Sequence, residues 1–374
     1  MANSQVATRE AGVTLIDIVH YPALADSNVL HFDASAAFPI HKLVLGDVVK
    51  FLSTNVGTHG KASYDWAQDA SAEYKRTKQA VATFINATEE EVFFVASASE
   101  GLRIIHNSMR RSFPEGVVYS PEDHSSVTSV VEKTQALELL SYGPTGRYDV
   151  SNIARNEGKA LVYATQVHPL YGSDNNIKSI RELFPHSFLM VDASQAIGRT
   201  SVDVAAMKCD GLTFSAQKLG GLPGVGIVYI AKKHHECLRE SIEPHTLPMP
   251  AIVGLRSAID VLQSYGVHKI DAYLTRLTEY FIYQAMERVH GISFTKGPAL
   301  SEYSCSGNGI VSFRIEGYSS QDVAMILNNQ AINVRAGDHC VDANAVERDV
   351  VRVSFHAYAD TVSIDRLVSA LAEL

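Results

Sequence analysis

Cysteine is scarce in this 374-residue chain: Cys209, Cys237, Cys305 and Cys340 stand far apart and form no Cys-x-x-Cys pair. That spacing excludes a zinc ribbon or a vicinal redox couple as the organising chemistry and suits a reducing compartment. Long apolar runs are missing as well. None approaches the roughly 20 residues needed to span a bilayer, and the opening MANSQVATREAGVT has no apolar stretch of the kind a secretory leader carries. A soluble, cytoplasmic protein is expected. Positive charge is also short, 32 Lys and Arg against 41 Asp and Glu, for a formal net charge of -9. Without a basic stripe no broad nucleic-acid surface is expected.

What is present is ordinary globular material. Hydrophobic residues make up 46% of the chain, enough for a sizeable core, and the length suits one large α/β domain with a smaller companion. Helical patterning fills 64–88, followed by an apolar strand, a small-residue turn and a helix in EEVFFVASASEGLRIIHNSMRR. Short β-branched or apolar runs recur at GVVYS, ALVYAT, SFLMVDAS, GLTFSA and VGIVYIA, with helical stretches between several of them. That alternation predicts a mostly parallel sheet covered by helices. Beyond about residue 245 the pattern becomes two long helical stretches, a strand GIVSFRIEG, a helix SSQDVAMILNNQ, a strand AINVRAG and a closing helix. The expected division is a large domain over 16–245 and a small α+β domain over 246–374, with residues 1–15 packed on the small domain or loose.

The most informative stretch is SFLMVDASQAIGRTSVDVAAMKCDGLTFSAQKLGGLPG, which sets Asp192 after an apolar run and Lys218 26 residues later, before a glycine-rich segment. A lone aspartate after a strand is usually a cap, and a lone lysine is usually solvated surface. The ordered set points elsewhere. It resembles the cysteine desulfurases, enzymes of the aminotransferase class V group that use pyridoxal 5′-phosphate (PLP) on fold type I. The matching family order is Asp-x-x-Gln, then Ser-x-His-Lys and a Gly-rich run. The resemblance implies Lys218 as the residue that holds PLP as a Schiff base and later moves the substrate α-proton. It implies Asp192 against the pyridinium nitrogen, Gln195 on the ring hydroxyl, and Ser215 and Gln217 near the phosphate. Gln217 stands where the family has histidine.

Other segments extend the likeness over nearly the whole chain. YSPEDHSSVTSV resembles the family's Glu-His-x-x-Val segment and implies His124 stacked on the cofactor ring as an acid or base. ASASEGL resembles the Gly-Thr-Thr-Glu phosphate loop, with Ala98 and Ser99 at the threonine positions and a helix N-terminus that favours an anion. PHTLPMPAIVGL resembles a segment whose threonine, here Thr246, reaches the cofactor phosphate of a neighbouring subunit, which implies a homodimer with shared sites. The family's asparagine loop is matched by ATQVHPLYGSDN, where Gln166 or His168 replaces the asparagine.

The C-terminal region selects the reaction. NVRAGDHCVDAN resembles the Arg-x-Gly-x-x-Cys segment, which implies Cys340 as the nucleophile that takes sulfur from L-cysteine, leaving alanine and a persulfide for an acceptor protein. Arg335 and His339 would tune the thiol or orient the substrate. DVVRVSFHAYADT resembles the closing Arg-x-Ser segment and implies Arg352 as the clamp on the substrate carboxylate. There the family's Tyr-Asn-Thr is YADT, with Ala359. Cys209, Cys237 and Cys305 are expected as core fillers. Two other readings remain open in the sequence: another class V reaction, such as a cysteine or selenocysteine lyase or an aminotransferase, and a non-catalytic scaffold of a sulfur relay.

Overall fold

A computed structural model of the chain describes residues 14–25, 27–60, 62–131, 136–238, 242–244, 246–297, 307–341 and 349–374. Cys305 lies outside these residues. The strands are β1 (Leu30–His31), β2 (Val92–Val95), β3 (Val117–Tyr119), β4 (Ala136–Leu139), β5 (Leu161–Thr165), β6 (Phe188–Asp192), β7 (Gly211–Ser215), β8 (Gly226–Ile230), β9 (Ile292–Phe294), β10 (Ile310–Ile315), β11 (Ile332–Asn333), β12 (Arg335–Gly337) and β13 (Val350–Ser354). The helices are α1 (Pro22–Ala25), α2 (Lys42–Thr54), α3 (Asp65–Phe84), α4 (Ala98–Met109), α5 (Ser125–Val131), α6 (Ile177–Leu183), α7 (Val204–Met207), α8 (Met249–Tyr265), α9 (Val267–Arg288), α10 (Ser320–Asn329) and α11 (Thr361–Ala372). Among the described residues no helix is long and apolar enough to cross a membrane.

Seven strands form the large sheet in the order β2-β8-β7-β6-β5-β3-β4. β8 runs antiparallel to both its neighbours, and the other pairs are parallel. β5 and β6 are buried at every residue, as continuous apolar runs must be when helices cover both faces. The carboxyl ends of β2, β3, β5, β6 and β7 therefore share one edge, where open α/β sheets place their ligands. Two glycines let α4 approach that edge. A Cβ on Gly226 would lie 2.3 Å from the Ser97 carbonyl carbon, and one on Gly101 would lie 2.4 Å from the Val228 side chain.

A second sheet, β12-β13-β10-β9, is antiparallel and packs with α9, α10 and α11 around Phe281, Phe313 and Phe355. Each core draws on both ends of the chain. α8 packs on α2 and α3 and buries Ile252, Leu255 and Ile259 in the large core. Conversely, β1 pairs in parallel with β11, and Phe32 enters the small core. The expected strand AINVRAG is broken at Val334, because its first half pairs with β1 and its second with β13. The chain thus crosses between the cores just before residue 33, and this crossing builds the site.

Candidate active site

At the sheet edge Asp192 ends β6, buried, with Oδ1 accepting the Ser194 N–H at 2.9 Å. Lys218 sits in the turn after β7. Its Nζ donates to the Ser35 carbonyl at 2.6 Å, and the Gln195 Nε2 donates to the same oxygen at 3.1 Å. Residues far apart in sequence thus meet on one loop that leaves β1. Burial, together with the nearby Arg352 guanidinium, pushes the Lys218 amine down to about 8, against the opposing pull of Asp33. A lysine so placed supplies a free amine near neutral pH.

The α4 N-terminus closes the edge. Ser97 caps the helix by accepting the Glu100 N–H, and the Glu100 carboxylate accepts the Ala96 N–H at 2.7 Å. The Ala98 amide donates to Ser215 Oγ at 3.1 Å, so the two halves of the expected phosphate cradle touch. Ser99 is exposed and Gln217 is half-buried. Thr246 lies exposed in the segment leading into α8.

His124 follows β3. Its Nδ1 is paired with Ser126 Oγ at 2.9 Å; burial lowers the ring's pKa while Asp192 pulls it upward. Gln166 follows β5, with Nε2 donating to the Ser201 carbonyl at 3.0 Å and its buried Oε1 left without a partner. His168 is turned into the core. It is bonded to the Glu122 carbonyl at 2.8 Å, its Nδ1 accepts the Leu170 and Tyr171 amides, and burial pushes it down to about 4. The polar group that this loop gives to Arg352 is the Pro169 carbonyl, 3.0 Å from Nη1.

Arg352 is buried in β13 and its Nη2 meets Asp33 Oδ1 at 3.1 Å. Arg335, directly opposite in β12, meets Asp33 Oδ2 at 3.7 Å. His339 is buried, bonds the Val350 carbonyl at 3.1 Å and is pushed down to about 3 by burial. Its ring is therefore neutral and holds the loop; any cationic influence on the neighbouring thiol falls to the arginines. Cys340 is exposed. Both residues have left-handed backbone, φ 53° and 61°, which costs about 1–3 kcal/mol each in a non-glycine residue.

The sequence model of the Aminotransferase class-V family matches residues 30–367. The chain belongs to that family. Among its relatives, a probable cysteine desulfurase of Streptomyces coelicolor is 30% identical over 348 residues, 82% of each chain. One of Pyrococcus abyssi is 24% identical over 92% of this chain and 94% of that one. The fold is similar to the apo structure of a cysteine desulfurase from Thermococcus onnurineus NA1, with TM-score 0.87 and 22% identity over 98% of this chain and 99% of that one.

Class V chemistry uses PLP, and the residues at this edge fit it. A partly deprotonated lysine, a buried carboxylate and a cradle of amide and hydroxyl converge here. Ser35 Oγ, Gln166 Oε1 and Arg352 Nε are buried without partners, and folded proteins rarely leave such atoms unpaired unless a polar group belongs there. Two residues of this class V site have no counterpart in the sequence reading. Asp33 is one. The other is Asp123, buried beside His124, which accepts the hydroxyls of Tyr142 at 2.7 Å and Tyr148 at 3.0 Å. Burial pushes its carboxyl up to about 7. Asp33 lies in the FDASA segment after a short strand and Asp123 in the segment that carries His124, but neither segment shows the partners that the fold supplies. Among the cysteines, Cys209 is buried as expected, whereas Cys237 is half-buried with Ser112 Oγ 3.4 Å from its sulfur.

Proposed function

We propose that the chain is a PLP-dependent cysteine desulfurase that releases L-alanine and leaves the substrate sulfur as a persulfide on Cys340. The observation that carries this reading is the joint placement of Lys218 and the Arg352 clamp on one loop, with the exposed Cys340 at its rim. Relatives named cysteine desulfurase over most of the chain support it.

Lys218, Asp192, Gln195, His124, Ser215, Gln217 and the Ala98–Ser99 amides would hold PLP, with Gln166 reaching in from β5. When bound, PLP supplies an electron sink for the carbanion chemistry of amino acids. Asp192 would set its carboxyl group against the ring nitrogen. The Lys218 amine takes and returns the proton at the substrate α-carbon. Arg352 orients the substrate through its carboxylate. The Cys340 thiolate then forms a bond to the substrate sulfur as the carbon–sulfur bond breaks; its electron pair goes to the β-carbon, which takes up a proton to give alanine.

The same reading includes a homodimer. Leu45, Val49, Leu52 and Val56 form an exposed apolar stripe along and just beyond α2, with Tyr64 and Trp66 also exposed, a pattern that marks an association surface. Thr246 would complete the cradle of the second copy. A sulfur-acceptor protein would dock at the Cys340 rim, and the compartment is the cytoplasm. The test is production of alanine and sulfide from L-cysteine by the wild type, Lys218→Ala and Cys340→Ser. Activity that needs both residues supports the reading; Cys340-independent activity points to another class V reaction, and none at all points to a scaffold.

A further inference from the structure

Arg335 and Arg352 occupy directly paired positions of β12 and β13, so both side chains leave the same face of the sheet. Like charges placed opposite one another across strands repel. The structure resolves that repulsion with Asp33, whose two carboxylate oxygens face one guanidinium each. Asp33 is itself fixed by its bridge to Ser354 and by the Ser35 N–H donated to Ser354 Oγ at 2.9 Å.

We propose that Asp33 is a positioning residue that sets the substrate charge the clamp accepts. The inference rests on the amino-acid substrate proposed above. Two arginines and one aspartate leave the clamp with a single net positive charge, matched to one α-carboxylate. Asp33 and the Pro169 carbonyl already occupy donors of Arg352, and its buried Nε remains without a partner for the incoming group. An amino acid with a second negative charge in its side chain finds no second uncompensated cation between Arg335 and Arg352; the nearby Arg199 gives its Nη1 to the Asn308 and Phe355 carbonyls. The clamp therefore favours substrates with an uncharged side chain, the state of L-cysteine below its thiol pKa.

The test uses the holoenzyme with L-aspartate and L-asparagine as competitive inhibitors of alanine formation, a pair of nearly equal shape that differs in charge. The wild type is expected to bind L-asparagine as well as or better than L-aspartate. Asp33→Asn leaves two positive charges and is expected to shift the inhibition ratio toward L-aspartate by about tenfold, or about 1.4 kcal/mol. Asp33→Asn/Arg335→Gln returns the clamp to one charge and is expected to restore the wild-type ratio, which a merely structural hydrogen bond would not do. A wild type that already prefers L-aspartate tenfold overturns the inference without any variant. An unchanged ratio in Asp33→Asn, or no rescue in the double variant, does the same. A wild type that does not turn over L-cysteine overturns the proposed function together with it.

Discussion

Ser125 donates its backbone N–H to the carbonyl oxygen of Cys340 at 2.7 Å. The adjacent His124 and Val341 form an isolated antiparallel bridge, so the loop of the proposed nucleophile is laced to the loop of the expected ring-stacking histidine. Two successive left-handed residues are held in place by this lacing. Ser125→Pro would remove the donor at the first position of α5, where proline is tolerated. A lost hydrogen bond is worth about 1 kcal/mol, so the variant is expected to slow alanine release several-fold in single-turnover assays while PLP loading stays unchanged.

The lowered Lys218 pKa has a kinetic signature. Only the free amine attacks an aldehyde, so PLP uptake by the cofactor-free protein should accelerate as pH rises, with a midpoint near 8. Arg352→Gln takes away a neighbouring cation that favours the neutral amine and should move the midpoint upward. Stopped-flow absorbance of Schiff-base formation across pH checks both.

Gly226 lies between Val95 and Ser215 in the sheet, under the Ser97 cap. Gly226→Ala is expected to push the α4 N-terminus off the edge, to cost about 1–3 kcal/mol as an overpacked site does, and to raise the PLP dissociation constant. Thermal unfolding and cofactor titration measure the two effects separately.

Asp123 gives a pH-dependent stability. Its folded pKa, about 7, exceeds the ordinary value near 4, so the folded state holds the proton more tightly. Its stabilising contribution is full below about pH 4 and is lost as pH rises through about 7. Asp123→Asn keeps an acceptor for both tyrosines and removes the titration. Urea midpoints of the cofactor-free protein should fall less steeply between pH 4 and 7 in the variant, by up to a few kcal/mol at about 1.4 per pKa unit.

The parallel sheet was legible because β5, β6 and β7 are apolar runs bounded by turn residues, and the spacing from Asp192 to Lys218 follows from two strand ends on one edge. Asp33 was not. Its partner Arg352 is 319 residues away, and their meeting depends on β1, a strand of two residues whose pairing with β11 has no periodicity to read. Tyr142 and Tyr148 escaped notice for a similar reason, since only the folded loop brings them to Asp123. His168 looked equivalent to Gln166 in the sequence; hydrogen bonding separates them, because one ring is spent on holding a turn while the other side chain keeps an unpaired oxygen. The composition changes where α8 begins, whereas the apolar residues of that helix pack on α2 and α3, a partnership that no local pattern shows.

The most direct measurement is the intact mass of the PLP-loaded protein after one equivalent of L-cysteine. The expected result is a gain of one sulfur atom, mapped to Cys340, removed by a thiol reductant and absent from Cys340→Ser. Release of alanine with no sulfur on Cys340, at a rate that Cys340→Ser does not change, would contradict it.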